Sequence, residues 1–411
     1  MLELSLLAFS IVTPQFVPFL SDIILLLCFL CVFLRFASRI PGKSRHVVFS
    51  IVLLTLLSFV IALVNGLPLV RYLIPQFRPF LYVFILFNSL NSRTLSIIST
   101  NSFRSAKRLF FVLSYFIITF NLLALLDVNL YRSLNDLWNG PSRFVGHWSS
   151  TAASVVAPLR LSSFAPTPAS SGLIHISCIL ILLVLKYRNL VNTKCFAFTY
   201  ILLGISGLAT LSSFFFYSFF ALSLFYFLPR SLFPRQLRSA IPLFGFLLPI
   251  LLLSLQYLLL AFPDLIGNGP LLEVFAGRIE GESNISVAFS SLSDIQHIFG
   301  ADFSHWHGFR MPFGDNGYTS RLFMGGFLFS LVYPLLLYSA SLVFVRYYVK
   351  SPKLFEVFAF FFILLEIGEL GFNSFSQPGT SVIPYFAVVF CLPLSAPAYA
   401  LLSHQRTLTR Q

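Results

Sequence analysis

The sequence predicts an all-α polytopic membrane protein of about 11 to 12 transmembrane helices with two large external loops. Three observations predict it. Apolar residues make up 57% of the 411 positions and charged residues 10%, with a mean hydropathy of +0.87, which leaves too little polar surface to coat a soluble globule of this length. Apolar runs of membrane length recur along the chain. Lysine and arginine gather between alternate runs, as the positive-inside rule requires.

Each run follows from those two rulers, a length of about 20 residues per helix and a basic flank on the cytoplasmic side. Residues 17–35 lead into Arg35, Arg39, Lys43 and Arg45. Residues 47–65 go out, and 69–90 return to Arg93, Arg104, Lys107 and Arg108. Residues 109–127 go out again, and 166–186 return to Lys186, Arg188 and Lys194. The stretch from Cys195 to Leu228 is bracketed by basic residues at both ends, so it must cross twice, as 195–211 and 213–229, reversing near Ser212 and Ser213 before Arg230, Arg235 and Arg238. Residues 240–262 go out, 318–345 return to Arg346, Lys350 and Lys353, 354–372 go out, and 382–402 return to Arg406 and Arg410. Leu2 to Val12 is short for a span but could be a tilted twelfth. Glu3 and the lack of a basic start argue against a removable signal peptide there.

Residues 1–411 therefore read as one integral membrane domain, interrupted outside by a first large loop, 128–165, and a second, 263–317. Connections of that length carry function or their own structure. The second is acidic, and its apolar positions from Ile285 to Phe299 predict a partly amphipathic segment against the membrane surface. The net charge of +13 is explained by topology and gives no ground for nucleic-acid binding. The five cysteines lie in apolar stretches, and Cys28 and Cys31 lack the setting of a redox CxxC motif. His297, His305 and His307 form too loose a set for a metal site, so none is expected.

Candidate functional residues lie toward the external side. Arg78, about two turns inside the third span, is costly there unless it is paired, lines a cavity or snorkels outward. Glu366 and Glu369 lie three apart and share a helix face near the external end of the tenth span, either as a general base or as charge partners of a structural arginine. In GDNGYTSRLFMGG, Asp315 ends the acidic loop, Tyr318 reads as an interfacial aromatic, and Arg321 reads as a cation snorkelling outward.

The second loop and the span after it contain Gly277-Arg278, then Ile298-Phe299-Gly300, then Asp315 with Tyr318, then Gly325-Gly326. This pattern resembles the signature of the O-antigen polymerase (Wzy-type) family within the O-antigen polymerase and ligase superfamily. The first loop supplies a similar half in Arg160, Pro166 or Pro168, and Gly172. Asp315 stands where the related ligases usually place a histidine, which favours polymerase. The segment LATLSS continues in this superfamily with an arginine, where this chain has Ser212 and Ser213.

The resemblance implies a metal-independent glycosyltransferase of the bacterial inner membrane, with its active site facing the periplasm and no cofactor. It would join undecaprenyl-pyrophosphate-linked repeat units into a surface polysaccharide, with a possible chain-length regulator as membrane partner. Arg78, Arg160 and Arg278 would hold the pyrophosphate, Tyr318 would bind substrate, and Asp315, Glu366 or Glu369 would take the acceptor proton. An O-antigen ligase-like transferase and a lipid-linked oligosaccharide transporter or flippase are the alternatives.

Overall fold

The computed structural model describes residues 20–36, 42–65, 70–89, 100–127, 129–131, 133–134, 168–229, 234–262, 289–301, 317–349, 351–370, 385 and 387–388. Among the described residues every regular element is a helix. In chain order these are α1 (Leu20–Phe36), α2 (Arg45–Asn65), α3 (Val70–Ser89), α4 (Thr100–Leu126), α5 (Pro168–Tyr187), α6 (Thr193–Leu208), α7 (Ser213–Phe227), α8 (Arg235–Ala261), α9 (Asp294–Phe299), α10 (Gly317–Tyr348) and α11 (Pro352–Gly368).

Among the described residues, five stretches are long and apolar enough to cross a membrane: Arg45–Asn65, Lys107–Ala124, Ser170–Tyr187, Arg238–Leu258 and Arg321–Tyr348. Shorter apolar helices accompany them. Their outward faces are apolar as well, with Leu34, Phe49, Leu63, Val112 and Leu243 all exposed, an arrangement that lipid accommodates and water does not. The fold is that of an all-α, multi-pass membrane protein. Ten of the runs expected from hydropathy coincide with helices, while residues 2–12 and most of 382–402 lie outside the described residues.

α5 and α11 are buried along most of their length; α6 and α7 pack on α5, and α7, α8 and α10 pack on α11. Because lipid is as apolar as leucine, polar rungs help to fix helix register. The Tyr115 hydroxyl meets Thr199 Oγ1 at 2.9 Å, and Asn121 Nδ2 donates to Ser206 Oγ at 2.9 Å, joining α4 to α6. His175 of α5 completes that seam, with Nε2 2.9 Å from Ser206 Oγ and Nδ1 2.7 Å from the Ser171 carbonyl. α6 and α7 reverse through Leu211, which takes a left-handed φ of 49°, and Ser212 caps α7 by accepting from the Phe215 amide. This is the reversal that the two flanking basic clusters demand.

The basic ends of several helices meet. Lys107 Nζ donates to the Leu190 carbonyl at 3.1 Å, and the Tyr187 hydroxyl meets Ser351 Oγ at 2.8 Å.

Candidate functional site

The site begins with a break in α10. Gly326 has φ 66° and ψ −170°, a conformation essentially reserved for glycine, so the helix stops and restarts there. The cause lies in α9, a six-residue helix opened by a capping box between Ser293 and Gln296. Its last residues wedge against the break: the Ile298 carbonyl sits where a Cβ on Gly326 would be, and a Cβ on Gly300 (φ 84°) would lie 2.5 Å from the Met324 carbonyl oxygen. The Ala301 amide donates to the Phe323 carbonyl at 2.8 Å, and Asn65 Nδ2, at the end of α2, reaches the Phe299 carbonyl at 3.5 Å.

At the other end of this first half of α10, residues 317–325, the Gly317 amide donates to the Glu369 carbonyl at the end of α11, 2.7 Å away. The segment therefore bridges from α11 to the contact between α9 and α2. In a straight helix residues 321 and 333 would be about 18 Å apart along the axis. Here the Arg321 guanidinium lies 5.2 Å from the centre of the Tyr333 ring. The break is what brings them together.

Arg321 is 1% exposed. Its Nη2 lies 3.0 Å from Glu369 Oε2, its Nε donates to the Gly317 carbonyl at 3.1 Å, and its plane also faces Tyr318 at 4.7 Å. The guanidinium is thus paired and has aromatic faces beside it, as a buried cation requires. Tyr318 donates its hydroxyl to Glu366 Oε2 at 2.9 Å. Glu366 is fully buried, and its other oxygen, Oε1, has no hydrogen-bond partner among the described residues. Thr319 accepts from Gln256 Nε2 at 2.9 Å, which ties the segment to α8.

Chemically, the Arg321–Glu369 pair compensates itself, whereas Glu366 is held by a neutral phenol and keeps one oxygen in reserve. A buried polar atom without a partner calls for an explanation. An acceptor oxygen fixed on one side and free on the other can receive a proton or a hydroxyl hydrogen bond from a ligand.

The structure joins Glu366, Glu369 and Tyr318, three of the candidate residues, through Arg321. Arg78 is half-buried on α3, two residues before Phe80, whose ring stands edge-on to Tyr333 at 5.8 Å. Asp315, Arg160 and Arg278 lie outside the described residues, as do His305 and His307. The expectation that Arg321 snorkels outward is corrected: it is enclosed, because the first half of α10 spans between helix ends and turns that side chain toward the bundle. Tyr318 is likewise fully buried rather than interfacial. His297 packs its ring against Phe289 and Tyr257, and no group of three metal-ligating side chains occurs among the described residues.

Sequence reasoning missed the break and the His175 seam. The adjacent Gly325 and Gly326 signalled the first, and Ser171 and His175, four apart on one helix face, signalled the second. Searches of protein-family models, curated proteins and solved structures find no match to the chain.

Proposed function

We propose that this chain is a metal-independent glycosyltransferase that polymerises undecaprenyl-pyrophosphate-linked oligosaccharide repeat units on the periplasmic face of the bacterial inner membrane. The observation that carries the reading is the buried Glu366 carboxylate, fixed by Tyr318 through one oxygen and without a hydrogen-bond partner at the other among the described residues. It sits in the last turn of α11, at the end opposite the basic flank of Lys350 and Lys353. The resemblance of Gly277-Arg278, Ile298-Phe299-Gly300, Asp315 and Tyr318 to the polymerase signature supports the substrate class.

In this reading the acceptor sugar hydroxyl donates its proton to Glu366 as its oxygen attacks the donor anomeric carbon. The bond from that carbon to the pyrophosphate oxygen breaks, and the lipid pyrophosphate leaves with both bonding electrons. Arg160 and Arg278 are the proposed clamp for the leaving group, since forked guanidinium groups match phosphate oxygens. Asp315 remains the rival base, and Glu369 acts through Arg321 as a positioning residue.

One observation favours a second reading. A broken helix beside a buried ion pair also occurs in secondary transporters, so a lipid-linked oligosaccharide flippase is the alternative. Deleting the gene separates the two and the ligase reading as well. Loss of polymerase collapses a surface polysaccharide ladder to single repeats; loss of a flippase leaves no external repeat; loss of a ligase leaves polymer on its lipid carrier. An unaltered ladder refutes the polymerase assignment.

A further inference from the structure

At the basic end of the bundle, opposite the carboxylate cluster, two cations converge on one aromatic ring. Lys353 Nζ lies 5.8 Å from the centre of the Tyr187 ring and 4.5 Å from that of Tyr226, and the Arg188 guanidinium lies 5.9 Å from Tyr187. Tyr187 is pinned by its hydroxyl to Ser351 Oγ, and Tyr226 by its hydroxyl to the Leu183 carbonyl at 3.1 Å. The platform therefore belongs to α5, α7 and the start of α11.

Both cations are half-buried, and Arg188 Nε is buried with no hydrogen-bond partner. Glu356, three residues after Lys353 on α11, is the acidic residue nearest to it in sequence and makes an interaction of its own. Two cations gathered at the same ring raise the local positive potential, and a buried N–H without an acceptor loses its hydration. Both costs are relieved by one anion that carries several acceptor oxygens. A phosphate group satisfies this requirement, because it can take a guanidinium N–H and an ammonium together.

We propose that Arg188, Lys353 and the Tyr187–Tyr226 platform bind the phosphate of an anionic phospholipid from the cytoplasmic leaflet. A lipid is the source that fits, because the platform lies where apolar helices end and where Lys186, Lys194 and Lys107 add positive potential. This inference is independent of the proposed glycosyl transfer, which uses the opposite end of the helices.

The test is native mass spectrometry of the full-length, delipidated protein with added cardiolipin or phosphatidylglycerol, and with phosphatidylcholine as the zwitterionic control. Each basic residue near the anionic surface is worth roughly fivefold in affinity. The double variant Arg188→Gln, Lys353→Gln should thus weaken the first anionic lipid bound by roughly 30-fold. The charge-keeping pair Arg188→Lys, Lys353→Arg should retain binding, as should Lys194→Gln, which alters an exposed cation of the same end. Equal binding by wild type and the folded double neutral variant, or equal binding of phosphatidylcholine, overturns the site. Inorganic phosphate that displaces the lipid only by saturating the same residues at lower concentration than the lipid itself overturns the lipid assignment.

Discussion

Substituting Arg321 by methionine keeps most of the side chain's length and apolar contact but deletes its charge. Glu369, itself fully buried, then loses the guanidinium 3.0 Å away. Stranding one member of a buried ion pair costs about 3 to 5 kcal/mol. The lost cation–ring contacts, at 4.7 Å to Tyr318 and 5.2 Å to Tyr333, add about 1 kcal/mol each where water is excluded. Arg321→Met should therefore destabilise the protein by roughly 5 to 7 kcal/mol. Glu369→Gln leaves an amide oxygen that still accepts from Arg321, so its cost should be about half as large. The double variant leaves no stranded charge from this pair and should be more stable than Arg321→Met alone by at least about 1.5 kcal/mol. Equilibrium unfolding in mixed micelles of mild detergent and dodecyl sulfate measures all three. An Arg321→Met cost below about 1 kcal/mol, or effects of the two substitutions that add within about 0.5 kcal/mol, would refute the reasoning.

Gly326→Ala should cost about 1 to 3 kcal/mol for the backbone alone and more from contact with the Ile298 carbonyl, read as a lower unfolding midpoint and faster proteolysis around α9. Tyr318→Phe removes the hydroxyl that fixes Glu366 while keeping the ring beside Arg321; in repeat-unit elongation it should lower kcat more than it raises KM, and an unchanged kcat would separate Tyr318 from the chemistry. Arg160→Ala and Arg278→Ala should abolish polymer in cells while the proteins still insert, and Arg278→Lys should restore little, since lysine lacks the guanidinium fork; normal ladders from these variants would remove the arginine clamp. Asp315→Asn compared with Glu366→Gln ranks the rival bases, and the larger loss of kcat should belong to Glu366.

Much of the fold was legible because a lipid solvent imposes a simple code. Each helix needs about 20 apolar residues and each cytoplasmic flank attracts lysine and arginine, so even the reversal at Ser212 could be placed from charge alone. The pairing of Glu366 and Glu369 on one face followed from helical spacing. Their partner did not. Arg321 lies 48 positions before Glu369, and one turn inside an apolar run an arginine can reach outward or inward equally well. The direction is decided by the break at Gly326, which depends on where α9 docks. Similarly, His175 sits in an apolar run and becomes part of a polar seam only when α4 and α6 are brought alongside α5.

The most direct measurement is elongation in detergent by the purified, folded protein, supplied with an undecaprenyl-pyrophosphate-linked repeat unit and followed by product length. Wild type should build a ladder without added metal or nucleotide sugar, and Glu366→Gln should leave single repeats while retaining the wild-type unfolding midpoint within a few degrees. No elongation by wild type with the cognate repeat unit, or an undiminished ladder from Glu366→Gln, would contradict the assignment of this buried carboxylate as the base of a glycan polymerase.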